Sequence, residues 1–108
     1  MADKVTAGRD RLGELAPQFA HLNDDVLFGE VWAREDELSA RDRSMITIAA
    51  LFSAGLYPQL KGHLARGKAH GITKAEAVAI VTQLAFYCGW PKAWSTFPMI
   101  EEIWGDEE

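Results

Sequence analysis

Apolar residues recur along this chain at helical rather than strand-like spacing. Between residues 4 and 20, Val5, Leu12, Leu15, Ala16 and Phe19 fall toward one side of a helix. Pro17, late in that run, predicts a bent or frayed end. Asn23 or Asp24 is placed to cap a second helix presenting Leu27, Phe28, Val31 and Trp32. Glu35-Asp36-Glu37 then reads as a solvated loop. Ser39 with Asp42 three residues on resembles a capping box, and from Met45 to Leu56 almost every position is apolar or small. A helix that is apolar all round needs cover on every side. A small domain supplies too little of that cover, which predicts partner subunits.

Gly55 ends this helix and Tyr57-Pro58 opens the next, where Leu60 and Leu64 form a stripe and Gly67 allows a neighbouring backbone to approach closely. Gly71 closes it. Thr73 and Glu76 form the capping box T-x-x-E ahead of Ala77, Val78, Val81, Leu84, Ala85 and Cys88. After Gly89, Pro91 sits in the first turn of a last helix carrying Trp94, Phe97, Ile100, Ile103 and Trp104, with a kink expected at Pro98. Six helices with short connections predict an all-α bundle of helical hairpins.

The chain has 108 residues, 48% of them apolar, which suits a single domain over 1–108 with one packed core. It contains no run of about 18 apolar residues and no apolar leader after Met1, so neither a membrane span nor a signal peptide is expected. A cytoplasmic location follows. The single cysteine, Cys88, excludes an internal disulfide, a CxxC redox pair and a cysteine-rich zinc site. The net charge is −5, and no basic run offers a stripe for phosphate contacts, so nucleic acid is not an expected partner. No His, Asp and Glu arrangement at i, i+4 spacing suggests a bound metal.

Few residues remain to carry chemistry. His63 lies between Leu60 and Leu64 and one turn before Gly67, near the core side of its helix. A lone histidine there is more often structural than catalytic. Arg43 is placed to hold a carboxylate bidentately or to pair with Asp42 or Glu30. Glu30 beside Trp32 is a proton carrier if buried, and otherwise an ordinary solvated glutamate. Tyr87 has a hydroxyl able to donate into a pocket, although aromatic residues near helix ends usually just pack. Cys88 sits on an apolar stripe as a small core residue. His70, beside Gly71, is expected to serve the negative end of its helix.

In their order these residues resemble the carboxymuconolactone decarboxylase family, which shares its fold with the alkylhydroperoxidase D proteins. The matching positions are Gly29-Glu30-Val31-Trp32 with Arg34, then Arg43-Ser44-Met45-Ile46-Thr47-Ile48-Ala49, Leu60 with His63-Leu64, Gly71-Ile72-Thr73 with Glu76, and Tyr87, Gly89, Pro91 and Phe97. The resemblance implies a homo-oligomer, a trimer or a hexamer. It also implies a lyase that removes carbon dioxide from a carboxylated unsaturated lactone, as in the breakdown of aromatic compounds, with no metal or organic cofactor. In that setting His63 is the proton donor or oxyanion partner and Glu30 sets its protonation. Arg43 and Arg34 hold substrate carboxylates, and Tyr87 completes the oxyanion contacts. The CxxC peroxidase mechanism of the superfamily needs a second cysteine that this chain lacks. Gln59 and Ala79 stand where compared decarboxylases often carry acidic residues. The alternative is therefore a non-catalytic or differently active oligomeric member that binds another small carbonyl or aromatic ligand.

Overall fold

The computed structural model describes residues 4–107 and contains, among these residues, helices and no strand. They gather into two compact units, Met1–Ala40 and Arg41–Glu108. In the first unit, α1 (Ala7–Leu12), α2 (Pro17–His21) and a π-helical stretch (Leu22–Val31) pack on one another. The second unit holds α3 (Ala40–Ala54), of which only the first residue belongs to the other unit, with α4 (Tyr57–Ala69), α5 (Lys74–Cys88) and α6 (Trp90–Trp104).

The first unit departs most from the apolar spacing. The helix expected over 4–20 is two helices, because the chain turns at 13–15 and Pro17 starts α2 at its first turn instead of bending the end of a longer helix. Asp24 does not cap the helix that follows it. Its buried carboxylate instead accepts the backbone N–H groups of Gly8 at 2.8 Å and Arg9 at 2.9 Å, satisfying donors in the first turn of α1 from 15 or 16 residues away. Burial pushes this carboxyl up, but the hydrogen bonds from Asn23, Arg9 and Gly8 together hold it below the usual carboxylate range. Gly8 is part of the same fit: a Cβ there would come within 2.7 Å of the Asp24 Oδ1. After α2 the helix continues directly in π form, with Trp32 N–H donating to the Leu27 carbonyl five residues back.

The second unit follows its sequence closely. Helix α3 begins one residue after Ser39 and buries Ser44, Ile48 and Phe52, a stripe at i, i+4 and i+8. Its C-terminus closes with Gly55 at φ +70°, where Gly55 N–H reaches the Phe52 carbonyl and Leu56 N–H reaches Leu51, the paired bonds of a Schellman motif. Gly71, at φ +96°, ends α4 with the same pair, to Lys68 and from Ile72 to Gly67. Both halves of the Thr73/Glu76 capping box form at the start of α5. Gly67 is needed for closeness, since a Cβ there would lie 3.0 Å from the Ile72 side chain and 3.1 Å from that of Ile48. Helix α6 runs on through Pro98.

Ile48, Phe52, Leu60, Leu64, Val81 and Ile100 make the centre of the core, and Trp104 closes it with its indole N–H donating to the Ile72 carbonyl at 3.2 Å. The apolar cover that the segment from Met45 to Leu56 was expected to require is incomplete within the chain, with Ile46 on α3 59% exposed and Leu56, just past the end of α3, 48% exposed.

Candidate functional site

His63 lies on α4 between two fully buried leucines of the core, Leu60 and Leu64, and is itself half-buried. Its Nδ1 is sealed from solvent. Burial pushes the imidazole pKa down, and the positive charge of Arg66, one helical turn further along α4, pushes it down again. The Arg66 guanidinium is partly buried too, which lowers its own pKa. An imidazole with a lowered pKa, one helical turn from a partly desolvated guanidinium, is therefore the central chemical feature of α4.

Arg66 was not singled out by the sequence reading. The signal was present in its i, i+3 spacing from His63, which puts two residues on one helix face.

The lowered pKa of His63 has a measurable effect on folding. As pH falls, the unfolded chain, with a histidine pKa of about 6.5, takes up the proton before the folded protein does. The contribution to stability is fully present above that pH and is lost as pH drops through the folded value. A His63→Gln variant is expected to lose less stability than the wild type between pH 7.5 and 5.5 in urea unfolding. Equal losses would contradict the burial of a neutral imidazole.

Arg43, half-buried, stands in the first turn of α3, where its carbonyl accepts the Thr47 hydroxyl at 2.7 Å. Tyr87, near the end of α5, is 81% exposed. Arg43, His63 and Tyr87 thus stand on three helices of the same unit. Glu30 and Arg34 belong to the other unit. Glu30 is exposed near the end of the π-helical stretch. Arg34 grips Glu37 with two parallel bonds, Nε to Oε1 at 2.7 Å and Nη2 to Oε2 at 2.6 Å, so a ligand carboxylate would have to displace Glu37.

Two further residues have definite roles. His70, expected to face the end of its helix, instead places Nδ1 2.8 Å from the buried Ser44 hydroxyl, tying the end of α4 to the first turns of α3. Serine and histidine at this distance resemble a nucleophile and its base, but Ser44 has no exposed surface for a substrate to reach. Cys88 is a free, partly buried thiol packed against the core. Among the described residues no group of three His, Cys, Asp or Glu side chains gathers to hold a metal, and no helix is long and apolar enough to cross a membrane.

The sequence from residue 17 to residue 102 matches the carboxymuconolactone decarboxylase family, spanning most of the chain and every helix from α2 to α5. The chain belongs to that family. It is 29% identical over 102 residues to a 4-carboxymuconolactone decarboxylase of Acinetobacter baylyi, an alignment covering 94% of this chain and 75% of that protein. It is also 32% identical over 73 residues to Peroxisomal protein 2 of Schizosaccharomyces pombe, covering 65% of this chain but only 34% of the yeast protein. In this carboxymuconolactone decarboxylase family member, burial and the charge of Arg66 both lower the pKa of His63 on α4.

Proposed function

We propose that this family member is a cofactor-independent carboxy-lyase acting on a carboxylated muconolactone-type acid. The observation that carries the proposal is the pairing of half-buried His63 with Arg66 on α4. The likeness to the Acinetobacter enzyme along nearly the whole chain supports it.

The reaction breaks the bond between the ring carbon and its carboxylate. The electron pair passes through the ring double bond to the lactone carbonyl oxygen, and a proton added at the carbon beside that carbonyl gives the enol-lactone. The needs are a cationic hold on the substrate, donors at the developing oxyanion and one positioned acid. Arg66 and Arg43 supply positive charge for the carboxylates. The bound anion offsets the charge of Arg66, which raises the His63 pKa toward its ordinary value and lets the imidazole carry the proton. Tyr87 offers a hydroxyl to the oxyanion. The exposed apolar surface of Ile46 on α3 and of Leu56 just past its end is covered by further copies of the chain in a homo-oligomer, a trimer or a hexamer.

Run in deuterium oxide and followed by NMR, turnover of 4-carboxymuconolactone is expected to give the enol-lactone with one deuterium at the carbon beside the carbonyl. Unchanged substrate after incubation with folded protein would contradict the proposal.

A further inference from the structure

Between α5 and α6 the surface opens into a groove of about 390 Å³ that includes none of His63, Arg66, Arg43 and Tyr87. That volume is in the range of small-molecule sites. Its walls are aromatic: Trp90 is 55% and Trp94 73% exposed, with Phe97 and Pro98 beside them. Ala85 and Ala93, both buried, form a floor without bulk.

The groove is mostly apolar, and its few polar side-chain groups are the Glu101 carboxylate, the Thr82 hydroxyl and the donor indole N–H groups of the exposed Trp90 and Trp94. Glu101 stands at the rim, and among the described residues its carboxylate makes no ion pair. Thr82 already donates its hydroxyl proton to the Val78 carbonyl at 2.7 Å, so only its lone pairs remain to face a ligand. Pro98 has no N–H, and the Trp94 carbonyl loses its usual partner four residues on. Among the described residues no lysine or arginine lines the groove. Lys61 is held by Glu102 at 2.6 Å, Lys68 by Glu107 at 2.9 Å, Lys74 by the Gly105 carbonyl and Lys92 by the Cys88 carbonyl. Aromatic faces attract cations through their ring quadrupoles, most strongly when the ring is indole.

We propose that the α5–α6 groove binds a small organic cation, a primary ammonium carried on a flat apolar body, with the ammonium on Glu101 and the body between Trp90, Trp94 and Phe97. An acidic rim makes the same groove a poor site for an anion, so this ligand differs in charge from the carboxylated lactone of α4. The proposal stands independently of the lyase reading.

2-Phenylethylammonium and its anionic analogue 3-phenylpropionate serve as probes, titrated into the purified full-length protein by calorimetry with the indole N–H signals followed by NMR. The cation is expected to bind saturably, to shift the Trp90 and Trp94 signals, and to bind at least about tenfold more tightly than the anion, a difference of about 1.4 kcal/mol. Glu101→Gln should weaken the cation by about tenfold or more, as expected for loss of a charge-assisted contact. It should leave the anion's affinity equal or improved. Glu101 is exposed and engages no ion pair, so the variant keeps its fold, which circular dichroism checks. No saturable binding, equal affinity for the two probes, shifts confined to other residues, or an unaltered affinity in Glu101→Gln would each overturn the proposal.

Discussion

Replacing His63 with alanine is expected to lower kcat on 4-carboxymuconolactone by at least about a hundredfold, the usual contribution of a positioned general acid or base. The helical content should stay as it is. His63 is half-buried beside Leu60 and Leu64, and its truncation removes part of a ring at the edge of the core, not one of the core's central side chains. A large loss of turnover with native circular dichroism therefore separates a chemical role from a packing role. His63→Gln refines the test, because glutamine keeps a hydrogen-bond donor but cannot exchange a proton near neutral pH. Recovery of most of the activity in that variant would assign His63 to oxyanion contact and not to proton transfer.

The second large effect concerns stability. Phe52 is fully buried at the centre of the second unit, on the i, i+4, i+8 stripe of α3 with Ser44 and Ile48. Phe52→Ala removes a ring from a close-packed interior that collapses only in part around the space left, at a cost of about 3–5 kcal/mol. Against a typical total of about 5–15 kcal/mol, this is a large fraction of what holds a small domain together. Urea unfolding at one fixed protein concentration measures it, since any association would make the midpoint depend on concentration. A loss below about 1 kcal/mol would show that α3 is not packed as the structure has it.

The second unit was legible because its punctuation is local. Gly55 and Gly71 adopt positive φ where the apolar runs stop, and Thr73 with Glu76 completes a box within one turn. Those signals act between residues a few positions apart, so spacing alone reveals them. The first unit was not legible in the same way. Val5 to Phe19 reads as one helix, but α1 is satisfied by Asp24, whose carboxylate reaches back 16 residues to Gly8. Nothing local announces such a partnership. A polar residue before an apolar run looks like the cap of the helix that follows it.

The candidate site divides along the same line. The order of motifs from Gly29 to Phe97 pointed to the family, and His63 stood out by its leucine neighbours. The direction of its pKa shift was not readable, because it depends on burial and on Arg66. Trp94 shows the converse. It lies on an apolar repeat and reads as core, yet it is 73% exposed and walls a groove, because the facing positions of α5 and α6 include the small residues Ala85 and Ala93. The volume between two helices depends on both, and neither stripe shows it alone.

Carbon dioxide release from 4-carboxymuconolactone by the purified protein, measured beside the His63→Ala variant, tests the proposed chemistry most directly. The expected result is one carbon dioxide per lactone consumed by the wild type and almost none from the folded variant. No release from the wild type, or equal release from both proteins, would contradict a decarboxylase that works through His63.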